Sequence, residues 1–342
     1  MWHNIRVNTI YLNYLQSHRF ILKKILITGA NGFLGSALAL KLQHENAFDV
    51  LQTTRLGVDK GSVEVDFSSN FNIEKELDGV EVIIHCAARV HLMQESSNDP
   101  LVEYRRINTN STLRLVEQAV NAGVKRFIFI STIKVNGEST ELDKPFKQDD
   151  TFVPTDPYGL SKYEAEVGLR KIAQETGLEV VIIRPPLVYG PGVKANFASM
   201  MKWLNKGLPL PLGGINNNKR SLVSVDNLVN LIKVCIDHPK AANETFLVSD
   251  DEDLSTTQLL SKITTALGAP NRLLPIPAIC FVFVAKLIRK PSISQRLCGS
   301  LQVDISKTKE LLNWTPPYRN AECLQKTATA FLENLNRDKK KQ

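Results

Sequence analysis

Cysteine is scarce and scattered in this 342-residue chain. Cys86, Cys235, Cys280, Cys298 and Cys323 are odd in number, and none belongs to a CxxC pair or a Cys/His cluster. That spacing supports neither a disulfide framework nor a zinc site, so no metal is expected and a reducing cytoplasm is the natural compartment. Long apolar runs are also missing. The most apolar late stretch, 276–285, is ten residues long and contains Pro277, whereas a membrane-crossing helix needs about 20. It reads as a buried or interface helix, and no transmembrane span is expected. Near the N-terminus, Asn13 interrupts the apolar stretch 9–15 and no small-residue cleavage site follows, so residues 1–20 make a poor signal peptide and read as an extension.

The third lack is of net charge in the body of the chain. The total is +7, from 42 Lys and Arg against 35 Asp and Glu. Residues 1–24 hold Arg6, Arg19, Lys23 and Lys24 without an acid, and the basic tail 336–342 adds +3, which leaves 25–336 balanced. Cationic surfaces concentrate polyanions; a balanced body disfavours nucleic acid as a partner, while the basic ends leave peripheral contact with an anionic membrane open. At 43% hydrophobic and 23% charged residues, the composition is that of an ordinary globular protein of one large or two modest domains.

What is present is an alternation of apolar runs with helix-like segments, the pattern of a parallel sheet with crossover helices. Residues 24–28, 50–54, 80–85, 126–130 and 180–183 read as strands; 33–43, 101–122 and 161–176 read as helices, the last ended by Gly177 in a C-terminal cap position. From Pro185 onward Pro and Gly become frequent and the alternation is lost. The expected organisation is a dinucleotide-binding domain over 21–184 and a smaller, loop-rich substrate domain over 185–335. Some segments return to the sheet, with 246–248 one candidate.

The first strand runs into Thr28-Gly-Ala-Asn-Gly-Phe-Leu-Gly35, which opens the first helix. Gly29, Gly32 and Gly35 permit a tight turn and close approach of the backbone to a pyrophosphate, while the helix N-terminus offers unpaired N–H groups. The second strand ends in Thr54-Arg55, with Thr54 where an acid would bind a ribose 2′-hydroxyl. Arg55 instead suits a 2′-phosphate, so the expectation is NADP(H), with NAD(H) left open because one Arg can also stack on adenine. Asp66 follows the next short strand and is a candidate for the adenine amino group.

Further on, Tyr158-Gly-Leu-Ser-Lys162 places Tyr and Lys on one face of a helix. A neighbouring ammonium, together with a positively charged nicotinamide, favours tyrosinate and turns Tyr158 into a workable acid/base. The strand 126–130 ends in Ser131-Thr132. A hydroxyl there would share the substrate oxygen with Tyr158, with Thr132 the first candidate and Ser131 the second; capping of the following turn is the alternative for one of the two.

The loop TGANGFLG, the stretch HCAARVH at 85–91, Asn108, STIKVNG, YGLSK and RPPLVYGPG at 184–192 together resemble the extended short-chain dehydrogenase/reductase family, in its nucleotide-sugar epimerase, dehydratase and reductase branch. The resemblance covers about residues 24–335. It implies an α/β fold with a doubly wound parallel sheet of Rossmann type, and a smaller C-terminal domain that holds a UDP-linked sugar. It assigns the chemistry to Thr132, Tyr158 and Lys162. The cofactor site falls to Gly29, Asn31, Gly32, Phe33, Leu34, Gly35, Ala87, Ala88 and Pro185, with Asn108 supporting Lys162 through the helix backbone and a water. Arg184 is placed near the sugar or at the domain boundary, Asn196 and Arg220 at the substrate diphosphate. A homodimer through the helices near 101–122 and 158–176 is also implied. His85 and His91 read as packed or hydrogen-bonded rather than catalytic.

The family's 4,6-dehydratases carry Asp-Glu after the catalytic Thr; here Ile133 and Lys134 stand there, so the elimination lacks its proton carriers. A 4-ketoreductase and a 4-epimerase remain, with a non-catalytic dinucleotide-binding sensor on the same fold as a remote alternative that the intact Thr132, Tyr158 and Lys162 set disfavours. Arg55, and the run Pro209 to Gly214, which resembles UDP-4-keto-6-deoxyhexosamine reductases of surface-polysaccharide pathways, tilt the expectation toward the reductase.

Overall fold

A computed structural model of the chain describes residues 22–55, 61–90, 99–287 and 291–339. Its centre follows from three strands whose residues are almost all inaccessible: β4 (Val82–His85), β5 (Arg126–Ile130) and β6 (Glu179–Arg184). Runs of Val, Ile and Phe without polar alternation require cover on both faces, the condition met by a parallel sheet between helix layers. With β1 (Lys23–Thr28), β2 (Phe48–Thr54), β3 (Ser62–Glu64) and β9 (Thr245–Leu247) they form a seven-stranded sheet, ordered β3-β2-β1-β4-β5-β6-β9, every pairing parallel.

Period-two alternation divides the core. Ile25 and Ile27 of β1 face one side, against Leu38 and Leu42 of α1 (Phe33–Gln43) and Leu228, Leu231 and Ile232 of the helix Val225–Asp237. Leu26 faces the other, with Leu115 and Val116 of Ser111–Asn121 and Ala165 and Leu169 of Pro157–Thr176. The strand order reverses between β1 and β4, and the crevice at that switch point is where such sheets bind ligands.

The segment expected as one helix over 101–122 is three pieces: Pro100–Tyr104, a π-helical turn Arg105–Asn110 and Ser111–Asn121. Beyond Arg184 the chain divides. The helix Val225–Asp237 and β9 rejoin the sheet, whereas β7 (Leu187–Tyr189) and β8 (Leu222–Ser224) pair separately. A second core gathers Tyr189, Phe197, Met201, Leu222, Leu260, Ile263 and Leu324. It is tied by a buried network: the Tyr189 hydroxyl donates to Asp250 Oδ2 at 2.6 Å, and Asp250 Oδ1 accepts from the Ser224 N–H and the Asn227 amide. None of the side chains described within 276–285 is buried. The stretch runs into a helix, Ala278–Leu287, most of whose described side chains are exposed.

Candidate active site

Glycine is required at two positions of the loop after β1. Gly29 has φ +68°, and a Cβ there would lie 2.7 Å from the Ala87 nitrogen; a Cβ on Gly35 would lie 2.2 Å from the Gly29 carbonyl oxygen. Gly32 closes the turn by donating its N–H to that same carbonyl at 2.8 Å, and it stands at the N-cap of α1 without a side-chain cap. The loop is thus drawn against the start of Ala87-Ala88, and the first-turn amides of α1 face outward for an anion. This cradle fits the pyrophosphate of a dinucleotide.

The wall behind it is built from hydroxyls. Thr28 Oγ1 accepts the Ala87 N–H at 3.2 Å and donates to His85 Nδ1 at 2.8 Å; His85 Nε2–H donates to Thr112 Oγ1 at 3.0 Å, which donates to the Asn108 carbonyl. Burial pushes the His85 pKa down to about 3, so the ring is neutral and structural, as the sequence suggested. His91 lies outside the described residues. Arg55 and Asp66, the residues expected at the adenosine, are exposed. The Asp66 carboxylate accepts from the Ser68 hydroxyl and N–H, and these bonds hold its pKa below the usual range, with Arg55 and Arg106 adding to the effect.

Tyr158 and Lys162 lie in the first turns of Pro157–Thr176, which starts cleanly because Asp156 caps the Gly159 N–H and Pro157 needs no N–H partner. The Tyr104 ring meets Tyr158 edge-on at 5.8 Å. The Lys162 ammonium is 1% exposed, donates to the Ile130 carbonyl at 2.8 Å and sits 4.2 Å from the centre of the Phe129 ring. Burial lowers its pKa to about 7. Burial, then Asp156 and Tyr104, raise that of Tyr158. Without the nicotinamide charge that the expectation joins to the lysine, the ammonium is held by the Ile130 carbonyl and the phenol stays protonated in this arrangement.

The two hydroxyls at the end of β5 separate clearly. Ser131 is buried and donates to Glu166 Oε1 at 2.6 Å, so its second-choice catalytic assignment gives way to a structural one. Thr132 is half-buried, and its oxygen accepts only a long bond from the Lys134 N–H at 3.4 Å, which leaves its proton available. Ile133 is buried, and Lys134 pairs with Asp156 at 3.0 Å and Glu138 at 3.1 Å. Neither can serve as the acid and base of an elimination.

Arg184 takes the boundary place of its two expected ones, and Asn108 acts through the helix. Arg184 does not reach the catalytic set. It is 5% exposed and bidentate to Glu166, through Nε at 2.9 Å and Nη2 at 2.6 Å, while Nη1 donates to Asn136 Oδ1 and the Gln148 carbonyl. It lines a cavity of about 660 Å³ with Gln148, Tyr163, Arg170 and Lys307, remote in composition from Thr132, Tyr158 and the glycine loop. Asn108, wholly buried, is used up on the Arg89 backbone and Ser161 Oγ, so it positions the helix and does not touch a cofactor. Pro185 is buried, its carbonyl accepting the Ile133 N–H.

In the second domain Asn196 is exposed at the start of Ala195–Asn205. Arg220 bridges Leu254 and Leu301 through its backbone, and its guanidinium donates to the carbonyls of Gly299 and Arg296. Sequence reasoning missed Glu166, which joins Ser131, Arg170 and Arg184 beneath the site. Its spacing of four from Lys162 and eight from Tyr158 was the available signal.

A glycine cradle at the switch point of a doubly wound sheet, followed by the Thr, Tyr and Lys set, defines an extended short-chain dehydrogenase/reductase. Residues 25–249 match the model of the NAD dependent epimerase/dehydratase family, and the chain belongs to it. It is 50% identical over 319 residues to a UDP-glucose 4-epimerase of Vibrio cholerae, covering 92% of this chain and 97% of that protein. Among solved structures it resembles a UDP-glucose 4-epimerase of Thermotoga maritima, determined with UDP-glucose, at a TM-score of 0.73 and 25% identity, covering 91% of this chain and 99% of that one. A UDP-glucuronic acid 4-epimerase of Bacillus cereus, in complex with NAD, gives the same TM-score at 22% identity over 91% and 99% of the two chains.

Proposed function

We propose that the protein is an NAD-dependent 4-epimerase of a UDP-linked hexose or N-acetylhexosamine. The observation that carries this reading is the 50% identity with a 4-epimerase along nearly the whole chain. It displaces the 4-ketoreductase favoured from Arg55 and the Pro209–Gly214 run, which no relative described above supports. Nothing in the comparisons favours NADP(H) over NAD(H), and the family's cofactor is the coarser and better-founded reading.

When bound in its oxidised form, the nicotinamide supplies a hydride acceptor and a positive charge. The chain's own residues do the rest. Gly29, Gly32 and Gly35, with the first amides of α1, hold the pyrophosphate; Ala87 and Ala88 bound the crevice, Asn31, Phe33 and Leu34 border the loop, and Asp66 and Arg55 meet the adenosine. Thr132 donates to the C4 oxygen and orients it. Tyr158 takes the C4 hydroxyl proton and returns it to the same oxygen after the sugar has presented its other face. Its phenol becomes the base only when positive charge is brought beside it, since burial alone keeps it protonated. Arg220 and Asn196 grip the diphosphate, leaving the sugar free to turn.

The test is to incubate the purified protein with UDP-glucose or UDP-N-acetylglucosamine and catalytic NAD. The C4 epimer is expected to accumulate to equilibrium with no net change in nicotinamide absorbance. Stoichiometric NADPH consumption with a UDP-4-keto sugar, and no epimer from either substrate, would restore the reductase.

A further inference from the structure

The helix Ala278–Leu287 shows water the side it would normally hide. Ile279 is 71% exposed, Phe283 68%, Leu287 74%, and Val282 is also exposed. These positions stand at i, i+3, i+4 and i+8, one stripe of a helix about 15 Å long. Lys286 lies on the same stripe and is exposed. Ile276 and Leu274 extend the apolar surface on the approach. Isolated exposed apolar residues need no explanation; a contiguous stripe does.

Charge supplies the occupant. From Leu254 to Val303, fifty residues of sequence contain no Asp or Glu, but they hold Lys262, Arg272, Lys286, Arg289, Lys290 and Arg296. The neutrality of 25–336 therefore conceals a segment of +6, offset elsewhere in the body. Lys262 is paired with Glu252, just upstream of this segment, but Lys286 on the helix and Arg289, Lys290 and Arg296 next to it in sequence have no acid between Leu254 and Val303, and an apolar stripe so flanked matches a surface that is apolar below and anionic above. Lysine on the stripe is no obstacle, because its stem lies along the apolar surface and its ammonium reaches the headgroups. A second copy of the chain would present the same cations to one another and meet repulsion.

We propose that Ala278–Leu287 docks on the surface of an anionic phospholipid bilayer, lying in the interface with Ile279, Val282, Phe283 and Leu287 inserted. The helix is not remote from the chemistry. Bridges Leu210–Leu273 and Gly214–Pro277 fasten its approach to the loop preceding Arg220, and the Arg220 guanidinium donates to carbonyls at Arg296 and Gly299, after the adjoining helix Pro291–Cys298. Docking would hold the substrate domain against the membrane. The proposal stands independently of the epimerase reading.

The experiment is co-sedimentation of the full chain with vesicles of phosphatidylcholine alone, or of phosphatidylcholine with about a third phosphatidylglycerol. Wild type is expected to sediment with the mixed vesicles at least tenfold more than with the neutral ones. Ile279→Ser/Phe283→Ser, which leaves every charge and both basic termini intact, is expected to lose that binding while keeping its circular dichroism spectrum. Unchanged binding by the double variant would assign the effect to the basic ends and overturn the proposal. So would a wild type that stays in the supernatant with both vesicle types. A concentration-dependent dimer abolished by the double variant, without vesicle binding, would give the stripe to a second copy instead.

Discussion

In the proposed epimerase the cofactor side and the substrate side would solve the same task, holding a diphosphate, by unlike means. On the cofactor side the backbone does the work: glycines without room for a Cβ, a left-handed Gly29 and uncapped helix amides, backed by strands buried on both faces. On the substrate side the proposed grip is a long side chain, Arg220, held by isolated bridges and by carbonyls of a neighbouring segment. The first arrangement allows few residue types and should tolerate almost no change. The second can be rebuilt by moving a loop, which is how one family comes to handle different sugars without altering its chemistry.

The sharpest way to break this contrast is at the junction of the two sides. Tyr158→Phe removes the proton carrier while leaving the cradle intact. Turnover is expected to fall at least about 10³-fold, as for loss of a positioned acid/base, with NAD affinity within threefold of wild type; equilibrium binding and initial rates measure the two. Substantial residual turnover would dismiss Tyr158. Nearly as large, but on stability, is Arg184→Met. Removing one partner of a pair as buried as Arg184 and Glu166 typically costs about 3–5 kcal/mol. Chemical denaturation should show that loss, with KM of the surviving folded enzyme unchanged. A raised KM without loss of stability would return Arg184 to the substrate.

That outcome bears on what could be read from the sequence. Strands such as Arg126–Ile130 and the helix Phe33–Gln43 were legible to the residue, because local pattern alone dictates them. The places of Thr132 after its strand and of Tyr158 and Lys162 in the first turns of their helix were legible because local spacing dictates them. Arg184 and Ser131 were left with two readings each for one reason: both are polar residues at strand ends near the site, and only Glu166, contributed by a helix, shows that they turn inward. The π turn at Arg105–Asn110 and the return of Val225–Asp237 to the sheet depend on tertiary packing, which periodicity does not encode. The apolar helix was recognised as a helix, but its exposure depends on what the remaining chain leaves uncovered.

A pH experiment probes the cofactor side at intermediate scale. The Lys162 pKa, lowered to about 7 by burial, lies below its unfolded value near 10.4. Between these limits the unfolded chain binds a proton that the folded chain has shed, so this group's contribution to stability rises as pH goes from 7 to 10. At most it supplies about 1.4 kcal/mol per pH unit. Urea midpoints of wild type and Lys162→Met, measured without cofactor across that window, should therefore diverge in favour of wild type as pH rises. Parallel profiles would mean that the ammonium is not desolvated. On the substrate side Arg220→Ala should raise KM for the UDP-sugar about tenfold, roughly 1.4 kcal/mol, with kcat nearly unchanged, since the diphosphate is held equally in ground and transition states. A fall in kcat alone would place Arg220 in the chemistry and erase the division between the two sides.

The smallest effect belongs to Arg55, the exposed residue on which the expectation of NADP(H) rested. Exposed charges gain little from single contacts because water and salt screen them. The cradle, not Arg55, carries the pyrophosphate that both dinucleotides share. Arg55→Ala should therefore change NAD affinity less than about threefold, an energy below 1 kcal/mol, while weakening NADPH, whose 2′-phosphate is the one group able to use the guanidinium, by about tenfold. Titration of tryptophan fluorescence with each dinucleotide reads both. If wild type binds NADPH more tightly than NAD and the variant reverses the order, Arg55 selects the cofactor. The rim of the crevice would then share with the substrate loops the power to redirect the enzyme, and strict constraint would be confined to the glycines themselves.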